Sequence, residues 1–303
     1  MADVARGAAR PTQTCTIGAL VAAMAAVLST VLAPDDALRE ARELLAAVHD
    51  MPRHWPLVEQ GAPVSADEWG RALHAAERRA SGAPLQYAAG RASFRHLTLD
   101  VDERVLIPRP ETEVLIDLVL DALRDAPGGI AVDVGTGSGA IALALANEGR
   151  FERVIGTDVS LDALAVARAN AARCARVLRA PVDLRAGSLL GPVPERPLRA
   201  VVSNPPYIAW DERDALPASV RDWEPTVALF SDSDGMGATV RLVREAARAL
   251  DARGLLAIEV DMRRASLVAE LVATAGAYED VRVQLDLTGR ERFVVARRRE
   301  AWG

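Results

Sequence analysis

Between Ile17 and about Ser81 the apolar residues recur at helical spacing, with breaks at Pro34, at Met51-Pro52 and at Gly61-Ala62-Pro63. Leu38, Ala41, Leu44, Leu45 and Val48 share one helix face, and Trp69, Leu73 and Ala76 another, the spacing of side chains that meet a core. Ser65 or Asp67 is placed to cap the last of these helices. From Pro84 to Arg109 the pattern turns extended, with apolar groups at Leu85–Tyr87, Phe94, Leu97–Leu99 and Val105–Ile107. Alternation in Leu97-Thr98-Leu99-Asp100-Val101 predicts a strand with one wet face, part of a short linking β-hairpin. After Pro110 a helix over 111–124 is followed by strands at 130–134, 153–157, 182–186, 200–203 and 255–260, separated by helical runs. Such alternation predicts a mostly parallel α/β sheet covered on both sides. Strands at 281–287 and 292–296 are joined only by Thr288-Gly289-Arg290-Glu291, which suits antiparallel pairing. The expected organisation is a small helical domain over 1–83, a linking hairpin over 84–110 and an α/β domain over 111–303.

Composition narrows the chemistry. The chain has 303 residues, half of them hydrophobic, and a net charge of −6 from 36 basic and 42 acidic residues, so no global basic field invites nucleic acid. Every basic residue is arginine. The absence of lysine removes Schiff-base chemistry and the lysine-containing phosphate loop together. His49, His54, His74 and His96 all precede the glycine-rich segment discussed next, and Cys15 and Cys174 lie far apart. That distribution offers no metal-ligand spacing and no disulfide framework, and suits a reducing cytoplasm. The uncharged stretch from Thr16 to Ala33, which follows Arg6 and Arg10, is rich in alanine and continues into an amphipathic helix, so it reads as a buried helix rather than a membrane segment.

Two short segments hold the candidate chemistry. In Asp133-Val134-Gly135-Thr136-Gly137-Ser138-Gly139, between a strand and a helix of small residues, glycines at alternate positions let the backbone approach a nucleotide-like ligand closely. Asp158, about twenty residues on, is placed to accept hydrogen bonds from ribose hydroxyls. The spacing is Gly-x-Gly-x-Gly, and Ala140 stands where a dinucleotide motif carries its third glycine. That favours S-adenosylmethionine over a nicotinamide cofactor. Asn204-Pro205-Pro206-Tyr207 ends the apolar run Ala200–Ser203. The Asn204 side-chain carbonyl and the Pro205 carbonyl are two acceptors that neither proline can satisfy locally, and beside an aromatic ring they could hold a planar NH2 group.

With Pro84-Leu85-Gln86-Tyr87, Phe94 and Leu106-Ile107-Pro108-Arg109-Pro110-Glu111-Thr112-Glu113, these segments resemble the HemK/PrmC-type glutamine methyltransferases, which modify peptide chain release factors. Glu224-Pro225, Ala228-Leu229-Phe230 and Asp234-Gly235 resemble the same family, and the similarity runs from about Ala41 to Arg297. The resemblance implies a Rossmann-like class I methyltransferase sheet with an antiparallel last strand, after an N-terminal helical domain that recognises the substrate. It implies S-adenosylmethionine as cofactor and a release factor, methylated on the glutamine of its Gly-Gly-Gln loop, as substrate and partner. The cofactor-binding candidates are Asp133, Gly135, Thr136, Gly137, Ser138, Gly139, Asp158, Leu189 and Asn204, and the catalytic ones Asn204, Pro205, Pro206 and Tyr207, with Tyr207 packed against the amide. No metal ligand and no dedicated general base is expected. The chain departs from the family at Ser188-Leu189, which leaves adenine packing to Leu189, at Arg199 in place of an aspartate, and at Val260-Asp261-Met262-Arg263, where a glutamine is usual. Arg109, Glu111 and Glu113 are either helix-start partners or residues that close the cofactor site. Arg71, Arg78, Arg79, Arg91 and Arg95 are either a solvated face or a surface for an acidic partner. Methylation of an exocyclic adenine amine, which fits the same two acceptors, and a noncatalytic cofactor-binding adaptor remain alternative readings.

Overall fold

In the computed structural model, residues 15–300 are described; Arg6 and Arg10 lie outside them. The chain divides between Arg91 and Ala92 into two compact units. The first is helical, with α1 Ile17–Leu28, α2 Pro34–His49, α3 Trp55–Val58, α4 Ala66–Ala80 and α5 Leu85–Ala89. Leu20, Met24 and Leu28 of α1 are fully buried, as are Ala41, Leu44 and Leu45 of α2. The apolar stretch is therefore a core helix, and among the described residues no helix is long and apolar enough to cross a membrane. Ser65 caps α4, accepting the Glu68 N–H while the Glu68 carboxylate accepts the Ser65 N–H, which satisfies two otherwise orphaned donors.

Leu85–Tyr87, expected to be extended, instead forms the short helix α5. Its turn is closed by Gly90 in the left-handed region, and it buries Tyr87 and Ala88, a tertiary gain that apolar spacing over five residues does not reveal. The hairpin is present just beyond it as β1 Arg91–Phe94 and β2 Leu97–Asp100, with Leu97 and Leu99 buried and Thr98 and Asp100 part-exposed.

The second unit continues with α6 Pro110–Ala122, β3 Ile130–Val134, α7 Ala140–Glu148, β4 Arg153–Asp158, α8 Leu161–Cys174, β5 Val182–Ala186 and β6 Leu198–Ser203. Then come α9 Ala218–Arg221, α10 Thr226–Leu229, α11 Gly237–Ala249, β7 Leu250–Glu259, α12 Ala265–Thr274, β8 Tyr278–Leu285 and β9 Glu291–Arg298. The strands form one sheet in the order β5-β4-β3-β6-β7-β9-β8. The β3–β4, β3–β6, β4–β5 and β6–β7 pairs are parallel, whereas β9 runs antiparallel to both its neighbours. β8 starts earlier than the apolar run suggests because Tyr278 is buried there and donates its hydroxyl to the Val243 carbonyl at 2.6 Å. Strand order reverses at β3, so the chain diverges on either side of the C-terminal ends of β3 and β6, where α/β sheets open a crevice for ligands.

One apolar layer packs α6, α7 and the β1–β2 ribbon against the sheet, with Phe94, Leu99, Leu115, Leu143 and Phe293 in its core. A second packs α11 and α12 on the sheet through Leu242, Val243, Val268 and Val272. The ribbon is fixed by a polar clamp. Asn170 of α8, fully buried, accepts the Asp100 N–H at 2.7 Å and donates to the Asp100 and Ser138 carbonyls, both at 2.9 Å. One side chain thus ties β2 to the turn preceding α7. Asn170→Ala leaves three backbone groups without their partner and should lower unfolding stability by about 1–3 kcal/mol, read as a reduced urea midpoint.

Candidate active site

The chain leaves β3 through Gly135, Gly137 and Gly139, all at positive φ. A Cβ on Gly135 or Gly137 would meet nothing within 4 Å, so the backbone there borders open space that a side chain would fill. At Gly139 a Cβ would lie 3.3 Å from Leu143 and 3.5 Å from Ala167, so this glycine instead permits close packing of α7 and α8. Asp133 Oδ2 accepts the Thr136 hydroxyl at 2.6 Å and the Ala142 N–H at 3.0 Å, which holds the turn against the helix start. Complete burial pushes the Asp133 carboxyl up to about 7 in spite of these bonds, and its Oδ1 has no hydrogen-bond partner. Asp158 accepts the Gly137 N–H through Oδ2 and the Ser160 N–H through Oδ1, both at 2.9 Å. Gly156, which the motif reading passes over, has a structural role: a Cβ there would come within 2.8 Å of the Thr136 hydroxyl oxygen.

These elements border a cavity of about 510 Å³, within the range of small-molecule and cofactor sites. Gly135, Gly137, Asp158, Leu189, Asn204, Pro205 and Pro206 all line it, so both sequence motifs converge on one space. Leu189 sits in the left-handed region, its carbonyl accepting the Thr157 hydroxyl at 2.9 Å. It does not provide the apolar lining alone. Val159, left 58% exposed directly after Asp158, and Ala163 line the cavity too. Trp210, Val227 and Phe230 complete it, with the Trp210 and Phe230 rings stacked at 4.7 Å. Asp133, Thr136, Ser138 and Gly139 are not among the lining residues; they hold the turn from behind.

The Asn204 turn is anchored on three sides. Ser203 donates its hydroxyl to the Val134 carbonyl at 2.7 Å, which joins the ends of β6 and β3. Asn204 Nδ2 donates to Thr112 Oγ1 at 3.3 Å, and Thr112 Oγ1 donates to Glu259 Oε2 at 2.7 Å. No donor among the described residues bonds to Asn204 Oδ1 or to the Pro205 carbonyl. Tyr207 is half-buried and is not among the residues that line the cavity. Its backbone carbonyl abuts Gly235, where a Cβ would come within 2.2 Å, which explains the Asp234-Gly235 segment: only glycine lets that loop close on the turn. Burial, with the nearby Glu259 carboxyl, pushes the Tyr207 phenol up to about 12.

The first turn of α6 contacts the site through three different partners. Arg109 pairs with the buried Glu224, which adjoins the Pro225–Ala228 stretch of cavity lining. Burial raises the Glu224 pKa, with Arg109 opposing, and Glu224 Oε2 remains unpartnered. Glu113 accepts the Arg95 N–H at 2.9 Å. Thr112, unremarked in the sequence except as part of its motif, makes the link to Glu259 and Asn204. Of the departures, Arg199 packs on Gly129 and donates to the Ala126 carbonyl, and Asp261 pairs with Arg263. Arg79 is paired with Glu40, and Arg95 with Glu148 and Asp117, so neither is a free basic site.

Burial pushes Glu259 up to about 7, partly offset by the Thr112 bond and by Arg292. Between the ordinary carboxylate range and pH 7 the unfolded chain has released this proton while the folded chain keeps it. Stability contributed by the neutral form is therefore complete below the unfolded pKa and is lost as pH rises toward 7. Glu259→Gln should flatten that decline, read by urea unfolding across the window, with the slope due to Asp133 remaining.

Comparison with known proteins agrees with this arrangement. Residues 112–217 match the methyltransferase small domain family, and residues 24–90 match the PrmC N-terminal domain. A crystal structure of a methyltransferase from Pyrococcus furiosus aligns with a TM-score of 0.50 at 18% identity, over 68% of this chain and 90% of that one, a likeness of fold. The release factor glutamine methyltransferase of Moorella thermoacetica is 43% identical over 80% of this chain and 84% of its own length. That of Deinococcus radiodurans is 41% identical over 86% and 90%. A glycine cradle facing the unengaged acceptors of an Asn-Pro-Pro-Tyr turn, with likeness to these relatives along most of the chain, places the protein in the release factor glutamine methyltransferase family.

Proposed function

We propose that this enzyme transfers a methyl group from S-adenosylmethionine to the side-chain amide nitrogen of the glutamine in the Gly-Gly-Gln loop of a peptide chain release factor. The observation that carries this reading is the pair of acceptors, Asn204 Oδ1 and the Pro205 carbonyl, bordering a ligand-sized cavity and free of internal hydrogen bonds.

The residues present fit the cofactor. Open backbone at Gly135 and Gly137 accommodates its close approach, Asp158 offers remaining lone pairs to ribose hydroxyls, and Val159, Ala163 and Leu189 give apolar contact for a flat base. When bound, S-adenosylmethionine supplies a methyl group already activated by a sulfonium, so the protein's task is position and electrostatics.

An amide nitrogen is a weak nucleophile because its lone pair is delocalised into the carbonyl. Asn204 Oδ1 and the Pro205 carbonyl, each accepting one N–H, would fix the amide plane and stabilise positive charge that develops on nitrogen. The prolines serve this by rigidity: neither has an N–H, and their fixed φ keeps the corner from relaxing. No histidine follows His96, so the departing proton goes to one of these acceptors or to water. Tyr207 anchors the corner through its backbone carbonyl, which abuts Gly235. The helical unit before Arg91, which matches the PrmC N-terminal domain, is assigned to recognition of the protein substrate.

Incubation with cofactor and a release factor should add the mass of one methyl substitution to the loop glutamine in a peptide digest. A nucleic acid offered in parallel should gain none, and methylation of its adenines alone would overturn the assignment. Asn204→Ala should reduce turnover by about a hundredfold or more while leaving cofactor affinity, measured by calorimetry, within a few-fold. Equal loss of both would make Asn204 structural.

A further inference from the structure

We infer that Thr112 is a positioning residue for methyl transfer: its hydroxyl, committed as a donor to Glu259, fixes the side-chain amide of Asn204 with the NH2 turned away and the carbonyl oxygen available to substrate. The inference rests on the reading of Asn204 as the group that grips the substrate amide.

Hydrogen-bond polarity sets the orientation of Asn204. A threonine hydroxyl has one proton and two lone pairs. Once Glu259 is ionised, above its raised pKa, it can only accept, so the Thr112 proton goes to Glu259 Oε2 at 2.7 Å and the same oxygen can offer only a lone pair to Asn204, 3.3 Å from Asn204 Nδ2. An asparagine amide presents a donor end and an acceptor end that differ little in shape, and a flipped Asn204 would set Oδ1 against an oxygen with no proton to give. The chain Glu259, Thr112, Asn204 therefore has one consistent direction. It ends with Oδ1 unengaged at the cavity. The proline corner alone cannot do this, because it fixes the backbone and leaves the Asn204 side-chain torsion open.

Thr112 is 4% exposed and Glu259 2%, so the bond between them is shielded from water. Burial itself favours the neutral acid; the Thr112 bond, Arg292 and Arg109 favour the carboxylate against it, and Glu111 opposes them, so the direction is fixed as Glu259 ionises. Thr112 itself is set by α6, which starts at Pro110. The Arg109–Glu224 pair fixes the residue before that start. Thr112 thus acts through Asn204, with no contact of its own to the cavity.

Three variants test this. Thr112→Val keeps shape and removes the hydroxyl; kcat for release-factor methylation should fall by between about tenfold and a hundredfold, with cofactor affinity unchanged. Thr112→Ser loses the methyl group but keeps the hydroxyl and should retain kcat within a few-fold, even if its thermal midpoint falls as far as that of the valine variant. A purely packing role would instead make the serine variant the worse of the two in both readouts. In the Asn204→Ala background, Thr112→Val should lower the residual rate no further, because the group it orients is gone. Full kcat in Thr112→Val, or an undiminished further loss in the double variant, overturns the inference. Absence of methylation by the unsubstituted enzyme would instead overturn the functional reading on which it rests.

Discussion

A single buried hydrogen bond, between the Thr112 hydroxyl and the Glu259 carboxyl, joins the first turn of α6 to the end of β7, and the Asn204 side chain is hydrogen-bonded to the same hydroxyl. Residues at the start of helix α6 reach three different elements. Arg109 reaches Glu224 beside the cavity lining, Thr112 reaches Glu259 and Asn204, and Glu113 reaches the backbone of the β1–β2 turn. A helix start suits this role because its side chains fan out while its backbone is held rigidly. The penalty of burying Glu259 is accepted at a position where its one strong partner also directs Asn204.

The cavity divides its labour between backbone and side chain. On the side we assign to the cofactor are glycines whose missing side chains leave room, braced by Asp133 and Asp158 through hydrogen bonds to the turn itself. On the side we assign to the substrate are a carboxamide oxygen and a carbonyl without hydrogen-bond donors among the described residues. Each half is stiff for a different reason: the glycine turn because its Gly137 N–H is tied to Asp158 and its Gly135 and Thr136 N–H groups to the Thr157 carbonyl, the proline corner because its φ angles are covalently fixed. Stiffness matters because transfer from an already activated methyl depends mainly on placement.

Several candidate site residues also brace the fold. Tyr207 anchors the corner through its backbone against Gly235, and Ser138 offers its carbonyl to Asn170. Leu189 shares the apolar lining with Val159, whose exposure follows from its place directly after Asp158 at the mouth of the sheet. The family departures at Arg199 and Asp261 are absorbed by local partners, the Ala126 carbonyl and Arg263, away from the two acceptors.

Elements whose signal is local can be read from adjacent residues alone. Glycine spacing after β3, the Asn-Pro-Pro corner after β6, the alternation of β2 and the short connection before β9 are each written within a few adjacent residues, because backbone conformation there is dictated by residue type. Even Val159 was legible in principle, as an apolar residue immediately following Asp158. Only the tertiary structure decided what joins residues far apart in the chain: that Thr112 meets Glu259, that Asn170 clamps Asp100, that Gly235 faces the Tyr207 carbonyl, and that Leu85–Tyr87 coils into a helix to bury its tyrosine. Hydrogen-bond direction is a property of pairs, and the strand order that brings β3, β6 and β7 side by side creates those pairs. No single residue or its neighbours in sequence contains that information.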